Sequence, residues 1–555
     1  MKHLFDLVRT ESEGARREIV GAAALSGLAN AAIVAVIGEA SQTATYDNIN
    51  LRYLLLFLIA MTLYVACQRY SAKRMVRITS RIVQTLRVRL VRKVQGSELQ
   101  VLDRIGKSQI VDALSRDANT VGESGEAIID ALQSVVFAVF AFAYIGWLSL
   151  PAFGLSVLSA SIAMTIVIRQ QAKTRVLLGR TRDREVEFLN QASDAIDGFK
   201  EARLNDRRRE DLHQDIGTAS RRVARLRQAV EDVHTRSTIM GRASLYLLIA
   251  VVVFLLPAVV QTYSEVITET VTAILFVVGP LGLLVGIVPY LERANEAARA
   301  IAELETRLDA ENGATPTAPA GRQGATLPAG TIAFDRVRFT YDAGDGEQFS
   351  LGPVSLEVPS GQILFITGGN GSGKSTLLKL LTGLYRADGG QITVDGVPLT
   401  RANLQSYRER FSAIFSDFHL FRRLYGLLGT SETAVNDLLR QMRLDQKVRY
   451  ADERFSNLDL STGQRKRLAL VVSLLEDRPV LVFDELAADQ DPGFRRFLYE
   501  ELLPALKAEG RTVIAATHDD RYFAAADVVV KLEYGTVESV GPPGAGPDTE
   551  DTNHV

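Results

Sequence analysis

At 555 residues and 60.7 kDa the chain is too long for one ordinary hydrophobic core, so at least two domains are expected. A net charge of -2 and a pI near 6.4 give no reason to expect nucleic acid or another polyanion as partner. The one cysteine, Cys67, excludes an intrachain disulfide and a multi-cysteine metal site, and inside its apolar run it reads as a small buried side chain.

The first 300 positions contain several apolar runs at or near the ~20 residues needed to cross a hydrocarbon core. They are 19–37, the shorter 53–68, then 131–168, 243–264 and 270–291. Run 131–168 carries no charge and is long enough for two spans, with "GWLSLPAFG" supplying a tight hairpin between them. The last two runs are separated by the short acidic loop "EVITE", which makes six spans. A buried helix of a soluble core is the alternative for any one run.

Charge placement argues for a membrane. The connecting segments 69–126 and 169–242 are dense in Arg and Lys, whereas "GEASQTATYDNIN", the Trp147 hairpin and "EVITE" hold neither. Lys and Arg stay on the cytoplasmic side, so both termini are expected there. Lys2, Arg9, Arg16 and Arg17 before the first run also suit a signal peptide, although run 19–37 exceeds a usual signal core. The two basic segments read as long helices extending beyond the bilayer, as in "RRVARLRQAVEDV". Asn30, Gln68, Gln133 and Tyr144 could face cargo within the spans, but packing between helices is their commoner use. Asp130 starts a span, where reaching back to water explains it.

After the membrane half, 1–308, the stretch 309–330 is rich in Ala, Gly, Pro and Thr and reads as a linker. Positions 331–540 alternate β-rich segments such as "QILFITG" with helical ones such as "STLLKLLTGLY", an α/β pattern, and 541–555 reads as a disordered tail. Positions 368–375 fit G-x-x-x-x-G-K-[ST], after an expected strand and opening a helix. Gly369, Asn370, Gly371, Ser372, Gly373, Lys374, Ser375 and Thr376 would cradle the phosphates of ATP, with backbone N–H groups and the helix N-terminus aimed at the anion. Lys374 should reach the β- and γ-phosphates and Ser375 should ligate Mg²⁺. "PVLVFDE" is a buried strand ending in Asp484, which would hold Mg²⁺, and Glu485, which would deprotonate the attacking water. A further strand, "RTVIAAT", leads to His518, positioned to sense a γ-phosphate if the three strands are neighbours.

Between cradle and carboxylates lies "LDLSTGQRKRLAL". It resembles the signature sequence of ATP-binding cassette proteins, with Ser461, Thr462, Gly463 and Gln464 where that family has Ser-Gly-Gly-Gln. The resemblance implies a homodimer with two composite ATP sites, the signature of one subunit closing over the cradle of the other. It also implies that Tyr341 stacks on adenine and that Asp491 contacts the opposite subunit. "VLDRIGKSQIVDALSRDANTV" and "GFKEARLNDRRREDL" resemble the two cytoplasmic loops by which exporters engage their ATPase domains.

Two features depart from the family pattern. Ser416, followed by Asp417, stands where a Gln is usual, and "DERFSNLDL" replaces the acidic stretch common before the signature in multidrug exporters. "FSAIFSDFHLF", "LSTGQRKR", "DELAADQDPGFRR" and "THDDRYF" together resemble the cyclic-peptide exporters, a branch that serves pyoverdine-type siderophore precursors, syringomycin-type lipopeptides and the lasso peptide microcin J25. The resemblance implies a Gram-negative inner-membrane protein moving peptide cargo from cytoplasm to periplasm. A multidrug or lipid exporter is the alternative, and an ATP-gated channel or regulatory membrane protein the reading from another class.

Overall fold

The computed structural model describes residues 3, 4, 6, 16–42, 50–255, 264–312, 330–341 and 349–543. It divides into two units, one formed by Met1–Gly96 and Ile105–Ala310, the other by Ser97–Arg104 and Glu311–Val555. The sequence places 97–104 in the membrane half, 1–308, but its contacts put it in the second unit.

The first unit is helical. In chain order the helices are α1 (Arg16–Gln42), α2 (Leu51–Gln95), α3 (Leu99–Ile105, mostly in the second unit), α4 (Lys107–Asp112), α5 (Ala118–Leu148), α6 (Leu150–Asp197), α7 (Phe199–Leu204), α8 (Asp206–Ala250) and α9 (Ser264–Asn312). Six of them, α1, α2, α5, α6, α8 and α9, are long; runs 19–37, 53–68, 131–168 and 270–291 lie on α1, α2, α5 with α6, and α9, whereas part of run 243–264 lies outside the described residues. Arg17–Ala40, Leu51–Gln95 and Lys107–Leu148 are each long and apolar enough to cross a membrane, and shorter apolar stretches lie at Leu150–Ile162 and Ile239–Phe254.

The basic segments extend the same helices. Along α2 the buried positions Ser71, Met75, Thr79, Ile82, Leu86 and Leu90 recur every three or four residues, so one stripe packs while Lys73, Arg77, Arg81 and Arg92 are exposed. Arg89 donates to Glu305 at 2.7 Å and Lys93 to Asp309 at 2.6 Å, tying this end of α2 to α9. Close helix approach uses absent side chains: a Cβ on Gly125 would lie 2.3 Å from the Thr79 methyl. The α5–α6 hairpin is a single break at Ser149, whose Oγ accepts from Ala152 N, with Pro151 in the first turn of α6.

Two expectations are corrected. "EVITE" is not a loop; α9 begins at Ser264 and includes it. A carboxylate in the first turn of a helix complements its dipole, so Glu265 suits the start of a helix as well as a turn. Residues 256–263, which precede it, lie outside the described residues. Cys67 is only partly buried. Most of the linker 309–330 and the tail from 544 onward also lie outside the described residues.

The second unit is α/β. Its strands are β1 (Ile332–Thr340), β2 (Ser350–Val358), β3 (Ile363–Thr367), β4 (Gly389–Val394), β5 (Val397–Pro398), β6 (Phe411–Ile414), β7 (Tyr450–Ala451), β8 (Arg454–Phe455), β9 (Val480–Asp484), β10 (Thr512–Ala516), β11 (Val528–Glu533) and β12 (Thr536–Gly541). An antiparallel sheet has the order β2-β1-β4-β5, and a mostly parallel one the order β12-β11-β3-β10-β9-β6. Every residue of β3, β9 and β10 is buried. Alternation splits them between two cores: Ile363, Phe365, Leu481, Phe483 and Val513 face one, and Leu364, Ile366, Val482, Ile514 and Ala516 face the other. Burial on both faces accounts for the continuous apolar runs read in the sequence.

Candidate functional site

The parallel sheet brings three functional strand ends side by side. Ala516 of β10 pairs with Ile366 of β3 on one side and with Asp484 of β9 on the other. The cradle after β3, the carboxylates after β9 and His518 after β10 therefore open on one carboxyl edge, where α/β sheets bind ligands.

The cradle is shaped for an anion. Gly368, Gly371 and Gly373 have φ of 142°, 79° and 101°, and a Cβ on Gly368 would lie 2.2 Å from the Leu532 carbonyl. Gly369, Asn370 and Gly371 are exposed, Lys374 opens helix α10 (Lys374–Leu381), and Thr376 sits half-buried in its first turn. Ser372 Oγ is buried without a partner inside the turn, a polar atom that an incoming phosphate oxygen would satisfy. Lys374 is 6% exposed and donates to its own loop carbonyls, Gly368 O and Gly369 O, both at 3.0 Å.

Ser375 Oγ donates to Asp484 Oδ2 at 2.8 Å, with Asp484 2% exposed. A hydroxyl and a carboxylate joined in this way form the hard-oxygen pair that Mg²⁺ shares with phosphate oxygens, so these residues fit that ion. The backbone N–H of Ser416 also points at Asp484 Oδ2, at 3.4 Å, while its side chain is exposed. The main chain rather than a long side chain thus reaches the carboxylate here. Glu485 has φ 52°, a left-handed conformation that costs a non-glycine residue about 1–3 kcal/mol. Its N–H donates to Ala516 O at 3.0 Å, and its Oε1 lies 3.0 Å from His518 Nε2.

The signature turn is built separately. Ser461 caps helix α11 (Thr462–Leu475) through a capping box: its Oγ accepts from Gln464 N, and its own N–H donates to Gln464 Oε1 at 3.2 Å. Ser461 and Thr462 are exposed. Gly463 is buried against the loop after Glu485; its Cβ would fall 2.5 Å from Asp489 O, and its carbonyl accepts from Gln490 Nε2 at 2.9 Å. Asp491 caps helix α12 (Pro492–Arg496) by accepting from Phe494 N at 3.0 Å and pairs with Arg467. The Phe494 N–H and the Arg467 guanidinium hold its carboxyl below the usual carboxylate range. Among the described residues, no hydrogen bond or ion pair joins the signature turn to the cradle.

Sequence reasoning missed Lys466. Its ammonium, 7% exposed, donates to Glu485 O at 3.0 Å, Ala488 O at 3.1 Å and Asp489 Oδ2 at 3.3 Å. The signal was present only as the middle member of the basic run Arg465, Lys466 and Arg467. Also missed was Glu98, which accepts from Arg386 at 3.1 Å and pairs with Arg408. Of the first quoted cytoplasmic loop only 101–104 belongs to the segment that joins the ATPase unit; the contacts start earlier, at Glu98. In the second loop, α7 leaves Phe199 and Leu204 largely exposed. In the helical unit a cavity of about 830 Å³ lies between α2 and α5, lined by Gln68, Gln84, Arg87, Glu123, Glu126 and Asp130 among others.

A helical membrane unit followed by an α/β unit with a phosphate cradle and adjacent carboxylates defines a membrane-embedded, ATP-binding hydrolase. Residues 18–200 match the model described as ABC transporter transmembrane region, and 351–488 the model described as ABC transporter. The chain is 33% identical over 525 residues to the ATP-binding protein SyrD of Pseudomonas syringae pv. syringae, covering 93% of this chain and 92% of that one. It is 25% identical to the ATP-dependent lipid A-core flippase of Alkalilimnicola ehrlichii, over 83% and 79% of the two chains. The solved structure of a bacterial Atm1-family ABC exporter with ATP bound shares the fold at a TM-score of 0.78, 19% identity and 95% coverage of both chains. The chain belongs to the ABC transporter family, with the exporter-type order of membrane region before ATPase domain, and it is an ATP hydrolase coupled to transport.

Proposed function

We propose that two copies of this chain form a homodimer in the bacterial inner membrane, with both termini cytoplasmic, and export a peptide to the periplasm by alternating access. The cargo class is a cyclic or lasso peptide, a lipopeptide or a peptide siderophore precursor. One observation carries the dimer: among the described residues Ser461 and Thr462 are exposed on a capped helix end with no bond to the chain's own cradle, which supports a second copy completing each ATP site. The cargo class rests on the resemblance of the motifs around Ser416, Gln464, Asp491 and His518 to cyclic-peptide exporters. The likeness to lipid A-core flippases supports a second reading, a lipid or multidrug exporter. A gated channel fits less well with the assembled Asp484, Glu485 and His518.

In the proposed cycle Tyr341 stacks on adenine and Lys374 exchanges the Gly368 and Gly369 carbonyls for the β- and γ-phosphates. Ser375 and Asp484 would hold Mg²⁺, which supplies positive charge beside the phosphate oxygens. Ser461, Thr462, Gly463 and Gln464 of one copy close over the ATP of the other, with Asp491 near that seam. Bound ATP favours the closed dimer over the open one, and this difference in affinity turns the cavity outward. Glu485 then takes a proton from the attacking water, with His518 orienting its carboxylate. Hydrolysis resets the pair.

The test is ATPase activity of the protein in lipid nanodiscs, measured with a cyclic lipopeptide, its linear form, lipid A and an amphipathic drug. Selective stimulation by the cyclic form is expected; equal or greater stimulation by lipid A or the drug would move the assignment to the second reading. Glu485→Gln should lower turnover about 100-fold or more while leaving ATP binding intact, and undiminished hydrolysis in that variant would remove Glu485 as the base.

A further inference from the structure

The phenol of Tyr341 does not end in solvent. Its oxygen lies 2.5 Å from the Tyr385 oxygen, and Tyr385 donates to Asp103 Oδ2 at 2.7 Å. An ionised carboxylate only accepts, so the Tyr385 proton is committed to Asp103 and the Tyr341 hydroxyl is the donor in the first bond. The rings are fixed as well. Phe339 stacks on Tyr385 at 5.1 Å and meets Tyr341 edge-on at 5.7 Å, and Lys379 Nζ sits 5.1 Å from the centre of the Tyr385 ring. Burial, then the bonds to Tyr341 and Asp103, push the Tyr385 phenol far above its usual range, so it stays a donor at working pH.

Asp103 belongs to the segment Ser97–Arg104, which among the described residues of the first 310 is the stretch that joins the ATPase unit. The segment is docked beside Tyr385 by Glu98 on Arg386 and Arg408, and by Gln100, which bonds both the N–H and the carbonyl of Arg386 at 3.4 Å. At its two ends the chain runs into α2 and, through α4, into α5, the helices that line the 830 Å³ cavity.

We propose that Asp103 and Tyr385 are positioning residues for ATP, a two-bond relay by which the first cytoplasmic loop sets the orientation of the Tyr341 ring and hence the affinity for nucleotide. The proposal rests on the reading of Tyr341 as the adenine-stacking residue. Any cargo that shifts the α2 and α5 ends moves Asp103 and changes ATP affinity, and linkage requires ATP to change cargo affinity by the same factor. The ring and the hydroxyl of Tyr341 thus have separable duties, stacking and sensing.

The experiment compares Tyr341→Ala, Tyr341→Phe, Tyr385→Phe and Asp103→Asn in the full chain in nanodiscs, reading KM for ATP, kcat, binding of a fluorescent ATP analogue and the unfolding midpoint. Tyr341→Phe, Tyr385→Phe and Asp103→Asn should each raise KM roughly tenfold, several times more than they lower kcat, because each removes or weakens a part-buried bond of the relay. The double variant of Tyr385→Phe and Asp103→Asn should be no worse than the worse single one, since both cut the same relay. If Tyr341→Ala raises KM but the two Phe variants and Asp103→Asn do not, the relay is overturned and the stacking role stands. If Tyr341→Ala leaves KM unchanged, the stacking role falls and the relay with it. A fall in kcat or unfolding midpoint at constant KM marks Tyr385 and Asp103 as merely docking groups and overturns the proposal.

Discussion

Glu485 occupies a backbone conformation that few glutamates tolerate, and one side chain largely accounts for its persistence. Lys466 neutralises and fills the inside of the turn, satisfying the carbonyls of Glu485 and Ala488 at once. Replacing it by Met keeps the stem but takes the ammonium from the part-buried Ala488 carbonyl and leaves Glu485 O with the Ala488 N–H alone, at a cost of about 1–3 kcal/mol. Lys466→Met should therefore lower kcat roughly tenfold with a smaller change in KM, because the turn that aims Glu485 relaxes while the cradle does not. Steady-state ATPase curves check this, and an unchanged kcat would show that the strand end alone holds Glu485. His518 acts at the same scale: His518→Ala removes the group 3.0 Å from Glu485 Oε1, and turnover should fall while ATP binding, measured by analogue fluorescence, holds.

At the scale of elements, α11 serves two customers. Its exposed first turn carries Ser461 and Thr462, and its inward face, through Gly463, Lys466 and Arg467, grips the loop from Glu485 to Asp491. Gly463→Ala puts a methyl 2.5 Å from the Asp489 carbonyl, a backbone atom that moves only with its loop. Overpacking of this kind costs about 1–3 kcal/mol, and ATPase activity should drop sharply with a modest loss in unfolding midpoint. Much of this architecture was legible beforehand where a function sits on one continuous stretch. The cradle, "PVLVFDE" and "RTVIAAT" each announce a buried strand and the polar residues at its end. Grip and relay were not legible, because Lys466 and Glu485 are 19 positions apart and Glu98 and Arg386 are 288 apart. "EVITE" failed for another reason: acidic residues mark a polar connection and a helix start equally well.

For the whole molecule, the helical unit contributes one short piece to the ATPase unit, and a single carboxylate holds much of it. Glu98 bridges two guanidiniums while only 17% exposed, so its removal takes the carboxylate from both and leaves Arg408 its bonds to Gly383 O alone. Glu98→Ala should leave basal ATP hydrolysis within a few-fold of the parent yet blunt its stimulation by cargo, because the anchoring end of the loop is freed. Comparing basal and stimulated rates in nanodiscs checks this; full stimulation in the variant would place coupling elsewhere. The long apolar helices and the order of the halves could be read from hydropathy and charge, since those signals are averages over many residues.

The same inserted segment bears on how the protein is made. Glu98 leaves the ribosome 288 residues before Arg386, a wait on the order of tens of seconds at ordinary rates of synthesis. Through that interval the first cytoplasmic loop has no docking site, and its acidic and apolar groups stay open to chaperones and proteases. Completion of the ATPase half is then the event that captures the loop, so a chain truncated before residue 386 should be cleaved near 97–104 by a protease that spares the finished protein.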